Sequence, residues 1–256
     1  LQQWSIPAFD LGNPMMDGIE GKRKKRVRNF EVPSKCKTHS RQEKGKKDNN
    51  TLIVLLLPGS RMPEAGRNWQ TILEAVAGVM DAFGDDSVMF LAAIAPSLSL
   101  QPFQEHLRLH DWQAQPLESV KAPIADAHAL ALIQKNATLL LSQMAYPDCL
   151  CVADLAIAMA GTATEQFVGL GKPAIIIPSQ GPQFTHAFAE AQTRLLGSSA
   201  ILVQQPQQVK DVMGSLLKDS QRLQLIAANG KRRMGKAGAG KRIADSLMER
   251  LSYNVR

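Results

Sequence analysis

The chain has 256 residues, long for one compact domain and short for two large ones. Hydrophobic residues make up 45% of it and mean hydropathy is −0.14. These are ordinary values for a globular body, and the longest apolar runs fall far short of the ~20 residues of a membrane-spanning helix. The net charge of +7 is not spread over the chain: residues 21–50 hold twelve Lys/Arg against three Asp/Glu, leaving eighteen basic and twenty acidic residues elsewhere. The segment therefore carries +9 and the rest −2, which excludes a uniformly basic nucleic-acid-binding body.

Residues 1–20 are apolar with turn residues at Gly12-Asn13-Pro14 and read as a short junction or linker. Residues 21–50 have few apolar positions and no period, so they bury too little surface to offset chain entropy and read as a disordered basic insertion. Such a segment is a solvated insertion, an anionic-membrane contact, or a nucleic-acid or nuclear-import-like patch at Lys22–Arg26. Phe30 is its only aromatic residue, a weak basis for base stacking. Cys36, Cys149 and Cys151 are too few and too poorly spaced for a disulfide framework or closed zinc site.

From Thr51 the pattern changes. Residues 51–57 form a continuous branched apolar run ending at Pro58-Gly59, as expected of a buried parallel strand. Ile72, Leu73, Val76, Val79, Met80 and Phe83 recur at helical spacing and predict a helix over 68–83. Residues 87–95 predict a strand, 101–110 a short helix, 123–132 another helix, and 137–143 a strand. Residues 146–153 suit a short helix with Asp148 in its first turn, and 153–160 a fourth strand. A helix over 162–170 is expected to be capped by Thr162 and closed at Gly171. A strand at 173–178, a helix at 184–196, a short strand at 200–203, and helices at 209–217, 221–228 and 239–251 complete the chain. Apolar strands alternating with helices predict an α/β fold with a doubly wound parallel sheet, whose ligands bind beyond the carboxyl ends of the strands.

Three loops leave predicted strand ends. In Pro58-Gly59-Ser60-Arg61, Gly59 permits close backbone approach, Ser60 offers a hydroxyl and Arg61 a forked cation suited to phosphate. The spacing is not that of a P-loop, and a plain structural turn explains it equally well. In Gly161-Thr162-Ala163-Thr164-Glu165, the Thr162 and Thr164 hydroxyls and a helix start suit a diphosphate or sugar. Glu165 either accepts from ribose hydroxyls or simply complements the helix dipole. The third, 178–186, carries Gln180, Gln183, Thr185 and His186 around a rigid Gly181-Pro182 turn, with His186 read as a surface histidine. No metalloprotease, nucleophile-elbow, Cys-His or EF-hand spacing is present, and His106 and His110, four apart, are read as incidental.

At these loops the chain resembles a known family. Leu56–Ala75 resembles the LPGSR…E segment of lipid-A-disaccharide synthase, and Ala158–Gly197 resembles the lipid-A-disaccharide-synthase-related proteins of cyanobacteria and plants. Gly230–Leu251 is similar to the end of those proteins and Gly12–Asp17 to the motif at their domain junction. The resemblance implies a GT-B glycosyltransferase, with residues 51–256 as its C-terminal, nucleotide-sugar-binding Rossmann-like domain and the acceptor domain absent. It implies a UDP-sugar donor, inverting hexosyl transfer to an acceptor hydroxyl that is lipid-linked in the family, contact with a membrane surface, and no cofactor or metal. It places Gly59, Ser60 and Arg61 against the diphosphate, Gly161, Thr162 and Thr164 against phosphate or sugar, Glu165 against ribose, and Gln183 and Glu190 near the sugar. No catalytic residue is assigned within the chain. The family suggests a plastid location in a photosynthetic eukaryote, and a cytoplasmic or membrane-peripheral one elsewhere. Two other readings stay open: an epimerase-type or non-catalytic sugar-nucleotide domain, and a basic interaction module working through residues 21–50.

Overall fold

The structure, a computed structural model, describes residues 8–19, 51–83 and 88–253. Its strands are β1 (Leu52–Leu57), β2 (Val88–Ala93), β3 (Gln113–Gln115), β4 (Leu130–Gln134), β5 (Ala137–Ser142), β6 (Leu155–Ala158), β7 (Ala174–Ile176) and β8 (Ala200–Leu202). They form one eight-stranded sheet in the order β3-β4-β5-β2-β1-β6-β7-β8. The helices are α1 (Glu64–Ala82), α2 (Gln101–Leu109), α3 (Tyr146–Val152), α4 (Thr162–Gly169), α5 (His186–Leu196), α6 (Val209–Lys218), α7 (Ser220–Met234) and α8 (Ala239–Tyr253).

All pairings from β5 through β8 are parallel. β1 lies inside this set and is buried along its whole length, which is why its sequence shows no alternation: both faces need apolar cover. The chain steps from β1 to β2 and on to β5, then returns through α3 to β6 on the other side of β1. The right hand usual for parallel crossovers would put α1 on one face and α4 and α5 on the other. α1 packs on α2 and α6, whereas α4 and α5 both pack on α7. In the β1–β6 register Leu57 lies opposite Ala158, so the two chains leave the sheet side by side at the point where strand order reverses. No described helix is long and apolar enough to cross a membrane.

Two expectations about single elements need correction. Residues 123–132 do not form a helix; they run irregularly into β4, which pairs antiparallel with β5. Helix propensity in this Ala- and Leu-rich stretch loses to sheet pairing, because Asp126 wires the segment to the end of β5. Its carboxylate accepts from the Ser142 hydroxyl (2.6 Å) and from the N–H groups of His128 (2.9 Å) and Met144 (3.2 Å). The sheet keeps its expected parallel body and gains β3 and β4 as an antiparallel edge. Finally, α1 starts at Glu64, a turn earlier than expected. The expected disordered insertion at 21–50 lies outside the described residues.

Burial alone would raise the Asp126 pKa, but the Ser142 hydroxyl and the backbone N–H donors outweigh it and hold the carboxyl below its ordinary value. A depressed folded pKa contributes stability that is full above the unfolded value of about 3.9 and is lost as pH falls through the folded one. Urea denaturation should therefore show wild type more stable than Asp126→Asn at pH 6, with the gap closing as pH drops below about 4. A gap independent of pH would show that charge on Asp126 plays no part.

The segment 8–19 docks on the domain. Met16 and Ile19 are buried, and the Asp17 carboxylate accepts from the N–H groups of Gly238, Ala239 (3.1 Å) and Gly240 (2.8 Å) at the start of α8. Those donors, the Gly240 N–H foremost, hold the Asp17 pKa below the usual carboxylate range against a smaller opposing effect of burial.

Candidate functional site

The loops after β1, β6 and β7 meet in a cavity of about 500 Å³ at the strand-order switch. The first loop supplies Pro58, Gly59, Ser60 and Arg61, the second Met159, Ala160, Gly161 and Thr162, and the third Gln183 and Phe184. The end of β2 closes one side with Ala93 through Pro96. Gly59 has φ +100°, a backbone conformation that L side chains rarely adopt. An added Cβ there would lie 3.5 Å from the Met159 carbonyl, so the first two loops run close together.

Charge in the cavity comes from two sources. Arg61 is exposed on its wall and has no ion-pair partner among the described residues. α4 starts at Thr162, with Gly161 as its N-cap and no side-chain capping bond. Thr162 is thus the first helical residue rather than the cap. The Gly161 carbonyl accepts from Thr164 and Glu165, and among the described residues no protein group accepts from the Thr162 and Ala163 N–H groups. Two free donors at the positive end of a helix, beside a guanidinium, suit an anion. No group of three His, Cys, Asp or Glu among the described residues is placed to hold a metal ion.

Of the residues singled out in the sequence, Gly59, Ser60, Arg61, Gly161, Thr162 and Gln183 line the cavity. Thr164 does not: its side chain is fully buried and its hydroxyl donates back to the Ala160 carbonyl. Glu165 is half-buried and off the cavity wall. Glu190 is exposed on α5, where it pairs with His186 (3.6 Å) and Arg194 (4.0 Å), and it too is off the wall.

Sequence reasoning missed several wall residues. Glu64 and Asn68 are both buried and line the cavity. The signal was present: positions 64, 68, 72 and 76 share one helix face, so two polar residues extend an otherwise apolar stripe. Tyr146 and Gln166 form another part of the wall. Burial, and to a lesser degree Cys149, raises the Tyr146 pKa, so the neutral phenol donates to Gln166 Oε1 (2.6 Å) while Gln166 Nε2 donates to the Met15 carbonyl (2.6 Å). The Cys149 thiol, pushed up to about 12 chiefly by burial and then by Asp148 and Asp126, is an unreactive packed group. Phe184 and Phe188, with centroids 5.3 Å apart, give the cavity an aromatic side.

No protein-family model matches the chain, and no curated protein sequence matches it. Solved structures do match. A Listeria monocytogenes protein assigned as a UDP-N-acetylglucosamine 2-epimerase superposes with TM-score 0.53 at 12% identity, over 80% of this chain and 46% of that one. The UDP-GlcNAc 2-epimerase of Neisseria meningitidis, solved with UDP-GlcNAc, gives 0.50 at 16% identity over 79% and 46%. S. aureus MnaA, solved with UDP, gives 0.51 at 12% over 79% and 47%. The fold is Rossmann-like and of the GT-B type, a mostly parallel eight-stranded sheet flanked by helices. The chain spans about half the length of the solved chains it matches. At these identities the likeness concerns the fold alone.

Proposed function

We propose that the cavity holds the diphosphate of a UDP-linked sugar, and that the chain is the donor-binding half of an inverting hexosyltransferase of the lipid-A-disaccharide-synthase-related type. The convergence of the Arg61 guanidinium and the free N–H groups of Thr162 and Ala163 on one cavity at the strand-order switch carries the reading. A pyrophosphate placed there receives a forked cation and two oriented backbone donors. Ser60, beside Arg61 on the first loop, and Gln183 on the third meet the sugar hydroxyls in this reading, and the apolar wall from Ala93 to Pro96 meets the base. Glu165 serves as a first-turn acid of α4. That two neighbours of the same fold were solved with UDP-GlcNAc and UDP supports a uridine nucleotide as the first probe.

In the proposed reaction an acceptor hydroxyl oxygen attacks the anomeric carbon from the face opposite the diphosphate. The bond from that carbon to the β-phosphate oxygen breaks, and UDP leaves with the electron pair. Arg61 and the α4 N-terminus stabilise the charge that develops on the leaving group, interactions that strengthen as the bond breaks. The resemblance assigns the acceptor site and the base that takes the acceptor proton to a second domain.

Calorimetric titration tests this. Wild-type chain is expected to bind UDP more tightly than ADP or GDP, and Arg61→Ala to weaken UDP by about 10–100-fold, the equivalent of one charge-assisted contact. Because Arg61 is exposed, the thermal midpoint of the variant should stay within about 2 °C of wild type. Unchanged UDP affinity in the variant would place the diphosphate elsewhere. Incubation with UDP-GlcNAc separates the epimerase reading, since epimerised donor without acceptor would displace transfer as the activity.

A further inference from the structure

Asn68, in the second turn of α1, is 2% exposed, and its amide reaches three separate loops. Nδ2 donates to the Pro58 carbonyl after β1 (2.9 Å) and to the Met159 carbonyl after β6 (3.3 Å). Oδ1 accepts from the Ser179 hydroxyl after β7 (2.7 Å). One turn earlier, the buried Glu64 carboxylate accepts from the N–H groups of Gln183 (3.1 Å) and Phe184 (2.8 Å), in the same third loop. The loop is also tied internally: Gly181 N–H donates to Ser179 Oγ (3.0 Å) and Ser179 N–H to the Phe184 carbonyl (2.8 Å). At Gly181 an added Cβ would come within 2.5 Å of the Glu64 carboxyl group, so the loop lies directly on that side chain.

The three loops leave strands far apart in sequence, and sheet pairing ends where the loops begin. Capping two strand-end carbonyls alone would need only water or a single donor. Here one side chain joins all three loops, and a neighbour on the same helix face holds the third in place. Asn68, Glu64, Pro58, Met159, Gln183 and Phe184 all belong to the cavity wall, so the bonds set the spacing of the groups that face a ligand.

We propose that Asn68 is the positioning residue of this cavity. It holds the Arg61 loop, the start of α4 and the third loop at the separation at which one diphosphate meets all of them. This rests on the reading of the cavity as a nucleotide-diphosphate site. Affinity here comes from pre-arrangement: loops already in place lose less freedom when the ligand binds.

The full chain carrying Asn68→Asp keeps the side-chain size and the acceptor for Ser179 and loses both donors; Ser179→Ala releases the third loop alone. Without ligand, amide hydrogen exchange of Asn68→Asp is expected to rise by about tenfold in 58–61, 159–163 and 179–184 together, the worth of one net hydrogen bond. The strand amides of β1, β2 and β5 should be unchanged, and Ser179→Ala should raise exchange only in 179–184. An increase spread over the whole chain, or confined to one loop in Asn68→Asp, overturns the proposal. At a temperature where the variant is folded, its Kd for UDP should rise at least about tenfold while its Kd for uridine, which lacks the diphosphate, moves less than about threefold. Equal loss for both ligands, or none for UDP, overturns positioning. If wild type binds no UDP, the nucleotide reading fails on its own, and the exchange pattern still decides whether Asn68 joins the loops. Should Asn68→Asp not fold, Ser179→Ala decides the matter by the same two measurements, with a loss of UDP affinity expected and an unchanged Kd overturning the proposal.

Discussion

Trp69→Ala is expected to lower stability by about 3–5 kcal/mol, the range for deleting a large buried aromatic. Trp69 is fully buried on the inner face of α1. Its indole N–H donates to the Phe103 carbonyl (3.2 Å), and its ring meets the Phe103 ring at 5.6 Å in an edge-to-face arrangement. The change opens a cavity between α1 and α2 and removes the indole donor from the Phe103 carbonyl. Trp69→Phe should recover most of the loss, because it restores most of the packing without the donor; the remaining deficit is about 0.5–1.5 kcal/mol for one lost net hydrogen bond. Chemical denaturation of the three proteins checks this, and a Trp69→Ala loss below about 1 kcal/mol would show that the site collapses around the smaller side chain. Because α1 also carries Glu64 and Asn68, this packing anchors the helix on which the cavity wall depends.

The second large effect is Gly230→Ala, expected to destabilise by about 3 kcal/mol even though alanine is the better helix former. Gly230 is buried in α7 against α4, and an added Cβ would lie 2.2 Å from the Val168 carbonyl oxygen and 3.1 Å from its carbon. Both are backbone atoms, so relief requires α7 to move away from α4. Gly214 in α6 provides the opposite sign, since its nearest neighbour would be Phe83 Cζ at 4.0 Å. There alanine should stabilise by roughly 0.5–1 kcal/mol through helix propensity alone. Thermal and urea midpoints of the two variants should move in opposite directions; movement in the same direction would mean that the α4–α7 contact is looser than the structure shows.

The sequence by itself determined the parallel core and three loops of interest. Residues 52–57, 88–93, 155–158 and 174–176 are apolar throughout and 137–142 nearly so, the pattern expected of strands covered on both faces. Gly59, Ser60, Arg61, Gly161 and Thr162 were legible because turn residues at a strand's carboxyl end announce themselves locally. The antiparallel edge was not legible: Leu130–Gln134 becomes a strand only because β5 is there to pair with it and Asp126 pins the approach. Nor was the inward turn of Thr164, whose hydroxyl donates to the Ala160 carbonyl, or the surface placement of Glu190. Asn68 shows the limit most clearly. Its position on an apolar stripe marks it as unusual, but Pro58, Met159 and Ser179 lie 10, 91 and 111 residues away along the chain. Local sequence encodes what a segment prefers, whereas which carbonyls come within hydrogen-bond reach of one buried amide is settled only when separate strands pack.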